Sequence, residues 1–325
     1  MSRNNRKIVF MFSGQGSQYY QMGRALFSEK KVFNEVMTEL DRVAASLLGH
    51  SVVDILYNQE KQRDQEFSDL STSSAAIFMV EYALARSLIS DGIIPDLVLG
   101  ASMGTYAAAA IASGISPDNA LTALIRLARI FDEQCDEGTM LAVIASPHVY
   151  DEMPDFALYT EIAAKNFRSH FVVAVLKEHV DRVVSALSQR NIPFQKLPVL
   201  RAFHSKWIDR ARPAALQLFE AVPLLSLSIP LICCAQGGPI ATLSPNVFWR
   251  TARRPIEFSR TIEQLENRGR YIYVDLGPMG TLATFLKYGL DSLSDSTFFP
   301  MMTPFSNDLK NYQLLLDPAA GRLNL

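Results

Sequence analysis

One serine, Ser102, lies at the centre of a Gly-x-Ser-x-Gly pattern formed by residues 100–104. The apolar run before it, residues 95–100, predicts a buried strand, and the alanine-rich run from Ser102 to Ala112 predicts a helix. A serine on a sharp strand-to-helix turn is exposed for attack, and the helix N-terminus favours the negative charge that develops there. This context predicts an acyl-transfer nucleophile; a glycine-rich turn with an incidental serine is the alternative.

A histidine is the expected base, because a serine hydroxyl attacks only when its proton is removed. His204 leads the candidates, since it lies where a predicted strand gives way to a helix. His170 precedes a predicted strand that could line the same cleft, so it stays a second candidate. The remaining histidines lie in polar or helical surface contexts: His50, His148 and His179.

Hydrogen-bond donors for a tetrahedral oxyanion are the third requirement, each worth roughly 3–4 kcal/mol. The backbone N–H of Met103, directly after Ser102, is one predicted donor. The turn at residues 14–16 ends a predicted strand on the same sheet edge and is the candidate for the second. A plain loop is the alternative for this turn. Its spacing does not match a phosphate-binding loop, which argues against a nucleotide site.

The elements that must position these residues alternate between strands and helices, a pattern typical of a mostly parallel α/β sheet. After Gly138 the pattern changes to short strands mixed with a helix, and it resumes from Ala202, which predicts a small inserted α+β subdomain. Outside the insertion we predict strands 8–12, 95–100, 229–235 and 271–276 and helices 31–48, 74–91, 102–112, 246–252 and 256–268. The polar tail after Pro304 is expected to drape over the surface.

Size and composition exclude several classes of protein. A chain of 325 residues suggests one large or two intimate domains with a sizeable core. The net charge of −2 gives no sign of nucleic acid or an anionic membrane as partner. The apolar run after the basic N-terminus is too short for a signal peptide, and no segment approaches the roughly 18 apolar residues of a membrane span. We therefore expect a cytoplasmic protein.

The cysteines and histidines give no sign of a metal or a disulfide framework. Three cysteines, of which Cys233 and Cys234 are adjacent in an apolar strand pattern, fit buried thiols in a reducing compartment. The third is Cys135. The five histidines show no paired spacing of the kind that binds zinc. We expect neither a metal nor a bound cofactor.

Four segments together resemble the malonyl-CoA:acyl-carrier-protein transacylase family, which includes polyketide synthase acyltransferases. In chain order they are residues 12–18, 100–104, 202–204 and 275–278. The resemblance implies a large α/β-hydrolase-like domain with a parallel sheet, over residues 1–138 and 201–325. It also implies a small ferredoxin-like insertion over residues 139–200. The implied substrate is a phosphopantetheine or coenzyme A thioester, so the implied partners are an acyl carrier protein and small acyl thioesters.

The resemblance also assigns roles to individual residues. It implies that Ser102 is the nucleophile and His204 its base. It also implies that Gln15 lies beside the oxyanion hole and that the Met103 backbone N–H binds the oxyanion. In this family a backbone carbonyl, not a carboxylate, orients the histidine. The matching stretch is residues 250–254, which places that carbonyl at Thr251. Neither Asp209 nor Asp275 is therefore predicted to be a third catalytic residue.

The acyl pocket is where the chain departs from relatives that carry malonyl. Those relatives place an arginine on the helix after the nucleophile helix, and its guanidinium forms a bidentate pair with the free carboxylate. Alignment places Leu127 there, and the adjacent Arg126 lies about 100° away around the helix. Ala101 replaces a histidine that usually precedes the nucleophile, whereas Phe203 is typical of malonyl-type pockets. A buried malonyl carboxylate without a partner costs several kcal/mol, so uncharged acyl groups are expected.

This pattern is similar to the acyl-hydrolase branch of the free-standing acyltransferases in trans-acyltransferase polyketide pathways. It implies that Ser102 is acylated by a carrier-bound thioester and that water, with His204 as base, releases the acid. The alternative is transfer of malonyl from coenzyme A to a carrier protein through the same first half-reaction. Intact Ser102, His204 and Gln15 argue against a non-catalytic scaffold. A lipase-like esterase would carry its acid between the serine and the histidine and an unrelated oxyanion loop.

Carrier proteins are usually acidic where they dock, so we expect a local basic patch despite the net charge of −2. Scattered, solvated charges are the alternative. The candidates flank the predicted active-site segments: Lys206, Arg210, Arg250, Arg253 and Arg254.

Overall fold

The computed structural model describes residues 6–317, so residues 1–5 and 318–325 of the predicted large domain lie outside the described part. The strands are β1 Lys7–Phe12, β2 Leu97–Gly100, β3 Gly138–Val143, β4 Thr160–Phe167, β5 His170–Leu176, β6 Phe194–Lys196, β7 Leu231–Cys233, β8 Gly238–Ile240, β9 Tyr271–Asp275 and β10 Thr297–Pro300. The helices before the insertion are α1 Arg24–Glu29, α2 Lys31–Leu48, α3 Val52–Leu56, α4 Leu70–Ser90, α5 Gly104–Ile111 and α6 Pro117–Gln134. The later helices are α7 His148–Asp151, α8 Pro154–Tyr159, α9 Val180–Gln189, α10 Arg212–Glu220, α11 Pro245–Arg253, α12 Phe258–Glu266, α13 Thr281–Gly289 and α14 Asp308–Leu316.

The larger sheet has the strand order β10-β9-β1-β2-β7-β8. Its pairs are parallel except β7 with β8, which is antiparallel. Strand β1 runs in register with β2 as far as the pair Phe12 and Gly100. The loops that follow these two strands therefore leave the sheet side by side, which brings residues 13–16 to residues 101–103.

Side chains of β1 alternate between two apolar layers. Phe10 and Phe12 pack into the larger core, and Val9 and Met11 pack into a second cluster on the opposite face. Helices α2, α4 and α5 contribute to the first layer, and helices α12 and α13 contribute to the second. Parallel strands covered on both faces are continuously apolar. That explains why residues 8–12 form an unbroken apolar run.

The smaller sheet is antiparallel, with the strand order β4-β5-β3-β6; one apolar face packs against α8 and α9, and the other packs into the core of the large domain. It is inserted between α6 and the segment that carries His204. Two backbone hydrogen bonds join it to the large domain next to that segment. The Lys165 N–H donates to the Ile256 carbonyl (2.8 Å), and the Ile256 N–H donates to the Ala163 carbonyl (2.9 Å).

The predicted fold class, an α/β domain with a parallel sheet and a separate α+β unit, is confirmed, with two local corrections. The chain after Pro304 does not simply drape over the surface, because it forms α14, whose Tyr312 and Leu315 are buried. The Tyr312 hydroxyl donates to Asp91 (2.8 Å), which ties this helix to the end of α4. The nucleophile helix begins at Gly104 rather than at Ser102.

No helix within residues 6–317 is long and apolar enough to cross a membrane. The same residues contain no group of three or more histidine, cysteine, aspartate or glutamate side chains suited to a metal ion. Cys135, Cys233 and Cys234 are free, buried thiols.

The close approach of α5 to β1 depends on Gly104, where a Cβ would collide with the Phe12 carbonyl oxygen. We expect Gly104→Ala to lower the free energy of unfolding by about 2–3 kcal/mol, because the atoms that the new Cβ meets are backbone atoms of Phe12 and Ser13, which cannot move aside. Gly269→Ala is the matched control, since the nearest atoms that its Cβ would meet belong to the Tyr271 side chain, at 3.4 Å or more. Urea denaturation of both variants measures the difference; equal losses would contradict the packing argument.

Candidate active site

Ser102 occupies a strained turn between β2 and α5. Its φ of 52° lies in the left-handed region, which side chains other than glycine seldom adopt. Gly100 permits the turn, because a Cβ there would collide with the backbone of Thr105. Backbone strain of this kind is typical of functional sites, where it aims one side chain out of the regular structure.

Ser102 and His204, a hundred residues apart, are joined by a hydrogen bond of 2.8 Å between the serine Oγ and the histidine Nε2. The other ring nitrogen, Nδ1, lies 2.8 Å from the Arg254 carbonyl oxygen. A carbonyl oxygen only accepts, so Nδ1 carries the proton and Nε2 is free to accept from the serine hydroxyl. His170, the second candidate, lines the same cleft as Ser102, as expected, but its Nδ1 contacts the Asn166 amide (3.0 Å) rather than the serine.

The prediction that Thr251 supplies the orienting carbonyl is wrong, because that carbonyl belongs to Arg254. Thr251 lies inside α11, whereas Arg254 caps the helix in an extended conformation (φ −83°, ψ 150°) that turns its carbonyl to the ring. The residue before a proline is restricted to such conformations, and residue 255 is proline. That dipeptide is the sequence signal that would have identified Arg254. Thr251 itself is buried beside His204, and its hydroxyl donates to the Val247 carbonyl (3.0 Å).

Burial controls the protonation of the histidine. Desolvation lowers the pKa of His204 to about 4; the Arg254 carbonyl opposes this shift, and the Arg253 guanidinium adds to it. The imidazole is therefore neutral at physiological pH, the state that a general base requires.

Two backbone N–H groups beside Ser102 are available to an oxyanion. Gly14 packs so closely on the serine that a Cβ there would lie 2.9 Å from the Ser102 Cβ, which places the Gln15 turn against the nucleophile. Within residues 6–317, neither the Gln15 N–H nor the Met103 N–H donates to a protein acceptor. The Gln15 side-chain amide holds the turn in place by donating to the Ser74 hydroxyl (2.6 Å) at the start of α4.

A buried glutamate that sequence reasoning missed supports this turn from beneath. Glu81 Oε1 accepts from the Ser13 N–H (2.7 Å) and from the Ser13 hydroxyl (2.9 Å). Burial raises the pKa of Glu81 well above its usual range, and the two hydrogen bonds from Ser13 oppose that shift. A single acidic residue inside the apolar run of α4 was the signal that could have identified it. Asp275, likewise buried, accepts from the Gly277 and Ala283 N–H groups rather than from His204.

Ser102 and His204 separate two spaces of different character. A narrow chamber of about 50 Å³ lies on one side, where Leu127 and Phe203 form part of the wall. Arg126 is exposed and does not line it, and no charged side chain within the described residues does. A wide cleft of about 600 Å³ between the sheets lies on the other side, and Ala101 lines this cleft rather than the chamber.

A family model and two curated relatives, all acyltransferases by name, match this chain over nearly its whole length. The acyl transferase domain model matches residues 9–320. The polyketide biosynthesis acyltransferase homolog BaeD of Bacillus velezensis is 39% identical over 313 residues, which cover 96% of this chain and 97% of that protein. Its counterpart PksD of Bacillus subtilis is 38% identical over 307 residues, covering 94% and 95% of the two chains.

Solved structures share the fold at lower identity. A loading acyltransferase from the avermectin modular polyketide synthase superposes with a TM-score of 0.87 at 22% identity, covering 97% of this chain and all of that one. The malonyl CoA-acyl carrier protein transacylase of Coxiella burnetii gives a TM-score of 0.81 at 21% identity, with both chains fully covered. At these identities the similarity establishes the fold alone.

The low pKa of His204 predicts an unusual pH profile. Because the neutral imidazole is the active form, kcat/KM for a small thioester should stay level from neutral pH to about pH 5 and fall through about pH 4. Since the unfolded chain binds that proton near pH 6.5 and the folded chain only near 4, stability declines as the pH falls from about 6.5 to about 4, a decline that begins before activity is lost. Circular dichroism at each pH separates unfolding from titration, and an inflection near pH 6.5 would contradict the assignment.

Proposed function

The chain belongs to the acyl transferase family, and from this premise we propose that it hydrolyses short, uncharged acyl groups from acyl carrier proteins in polyketide biosynthesis. The relatives that match over nearly their whole length support the polyketide context, since both are named polyketide biosynthesis acyltransferase homologs. The observation that carries the preference for uncharged groups is the chamber beside Ser102, where Leu127 stands in the wall and the lining side chains are uncharged.

Acylation begins at the hydrogen bond between Ser102 and His204. The serine proton passes to His204 Nε2 as Oγ attacks the thioester carbonyl carbon. The N–H groups of Gln15 and Met103 donate to the resulting oxyanion. Collapse of the tetrahedral intermediate breaks the carbon–sulfur bond, and the proton on Nε2 passes to the departing sulfur. The products are an acyl ester on Ser102 and the free carrier thiol.

Deacylation repeats these steps with water. His204 Nε2, neutral again, takes a proton from water as the oxygen attacks the ester carbonyl. The same two N–H groups hold the second oxyanion, and its collapse returns the proton to Ser102 Oγ. The two spaces suit this sequence, because the acyl group occupies the chamber while the wide cleft admits first the thioester arm and then water.

The decisive experiment follows acyl groups on carrier proteins by mass spectrometry. We expect an acetyl-loaded carrier to be converted to free carrier and acetate, and a malonyl-loaded carrier to react far more slowly. A Ser102→Ala variant should form no covalent acyl adduct while keeping its fold, since only one hydroxyl at a turn is removed. If the free carrier instead gains malonyl from malonyl-CoA, the protein is a transacylase and the hydrolase proposal fails.

The chamber predicts a switch in acyl preference. Leu127→Arg places a cation where a malonyl carboxylate would lie, and we expect the ratio of malonyl to acetyl kcat/KM to rise by roughly 30- to 1000-fold, equivalent to about 2–4 kcal/mol. Leu127→Met, which conserves volume, is the matched control and should leave the ratio unchanged. Measuring both substrates on the same folded variant separates specificity from stability. A wild-type enzyme that already prefers malonyl would overturn the argument.

A further inference from the structure

A groove along α11 carries positive charge from three arginines that have no carboxylate partner within the described residues. It has a volume of about 1040 Å³ and lies between α11 and the beginning of α10. Arg212, Arg250 and Arg254 line it and are exposed. None of the three has a carboxylate partner within residues 6–317.

The other basic residues near the site are already paired. Arg253 forms an ion pair with Asp209 (2.7 Å), the one carboxylate in the lining of the groove, so that carboxylate does not neutralise the other arginines. Lys206 pairs with Glu161 (3.4 Å). Arg210 pairs with Asp136 (3.4 Å). The expected basic patch is therefore narrower than the sequence indicates, and it includes Arg212, which the sequence analysis did not select.

The N-terminal end of α10 also contributes to the positive electrostatic potential of the groove. Arg212 is the first residue of α10, where the positive end of the helix dipole raises the potential further instead of offsetting the charge. An anionic partner gains from both sources. The side chain of Trp249, which is only 5% exposed, forms an apolar part of the same lining.

One residue connects the groove to the catalytic base. The Arg254 side chain lines the groove, while its carbonyl holds His204 Nδ1 at 2.8 Å. A partner seated in the groove therefore lies next to the segment that orients the base. We propose that this groove docks an acidic face of the acyl carrier protein, an inference that rests on the carrier-bound substrate of the proposed function.

The test compares charge reversal in the groove with charge reversal elsewhere. The variant is Arg212→Glu with Arg250→Glu; Arg254 is left intact because its carbonyl holds the base. Arg126→Glu is the matched control, an exposed arginine outside the groove. The substrates are acetyl-loaded carrier protein, acetyl-CoA and the acetyl thioester of N-acetylcysteamine. We expect the double variant to raise KM for the loaded carrier by about tenfold or more with kcat unchanged. The dependence of that KM on salt concentration should be mostly lost.

Turnover of acetyl-CoA and of the small thioester, together with direct binding of the carrier, distinguishes the remaining outcomes. Unchanged turnover of the small thioester shows that the variant is folded and active. An equal loss with acetyl-CoA would assign the groove to the phosphate that both larger substrates contain, and an equal loss with Arg126→Glu would assign the effect to net charge; either overturns the proposal. Fluorescence anisotropy of labelled carrier measures docking without turnover. Weakened binding in the double variant supports the groove even if hydrolysis fails, and unchanged binding overturns it.

Discussion

The hydrogen bond from His204 Nδ1–H to the Arg254 carbonyl determines how the rest of the site is built. A carbonyl fixes the ring and its tautomer as a carboxylate would, but it brings no negative charge to stabilise an imidazolium. Burial is therefore free to lower the pKa of His204 to about 4, and the base stays neutral. The bond depends in turn on where α11 ends. Pro255 forces Arg254 into an extended conformation, so a single proline determines which carbonyl meets the ring.

The sequence indicated Ser102 and His204 because both depend on local context: a strand, a turn and a helix are visible in residue types. The distance between them is not local: residue context made His204 the leading candidate among several histidines, and the family resemblance then supported its pairing with Ser102. The assignment of Thr251 failed because it treated a stretch of residues as equivalent, whereas the helix end selects one carbonyl among them. Glu81 was missed because the lone acid in the apolar helix α4, although visible in the sequence, does not reveal its partner, the Ser13 loop.

The chamber and the cleft beside Ser102 differ in polarity because different parts of the fold line them. The chamber lies among the apolar helices of the large domain, where Leu127 on α6 and Phe203 meet, and Phe203 stacks edge-to-face on Phe131. The cleft lies between the two sheets and includes polar groups from the insertion, such as Gln195. A polar carbonyl under attack thus sits at a boundary, with an apolar space for the part of the substrate that does not react.

The two backbone bonds between β4 and Ile256 make the insertion something other than a detachable lid. They lie two residues from the carbonyl that holds His204, so a displacement of the small sheet pulls on the segment that orients the base. Backbone bonds are indifferent to side-chain identity, so this attachment tolerates substitutions at residues 163–165 that keep the strand extended. For protein engineering, a chimera that exchanges the small domain should therefore keep the bridge between residues 163–165 and 256, because the alignment of the base lies next to it.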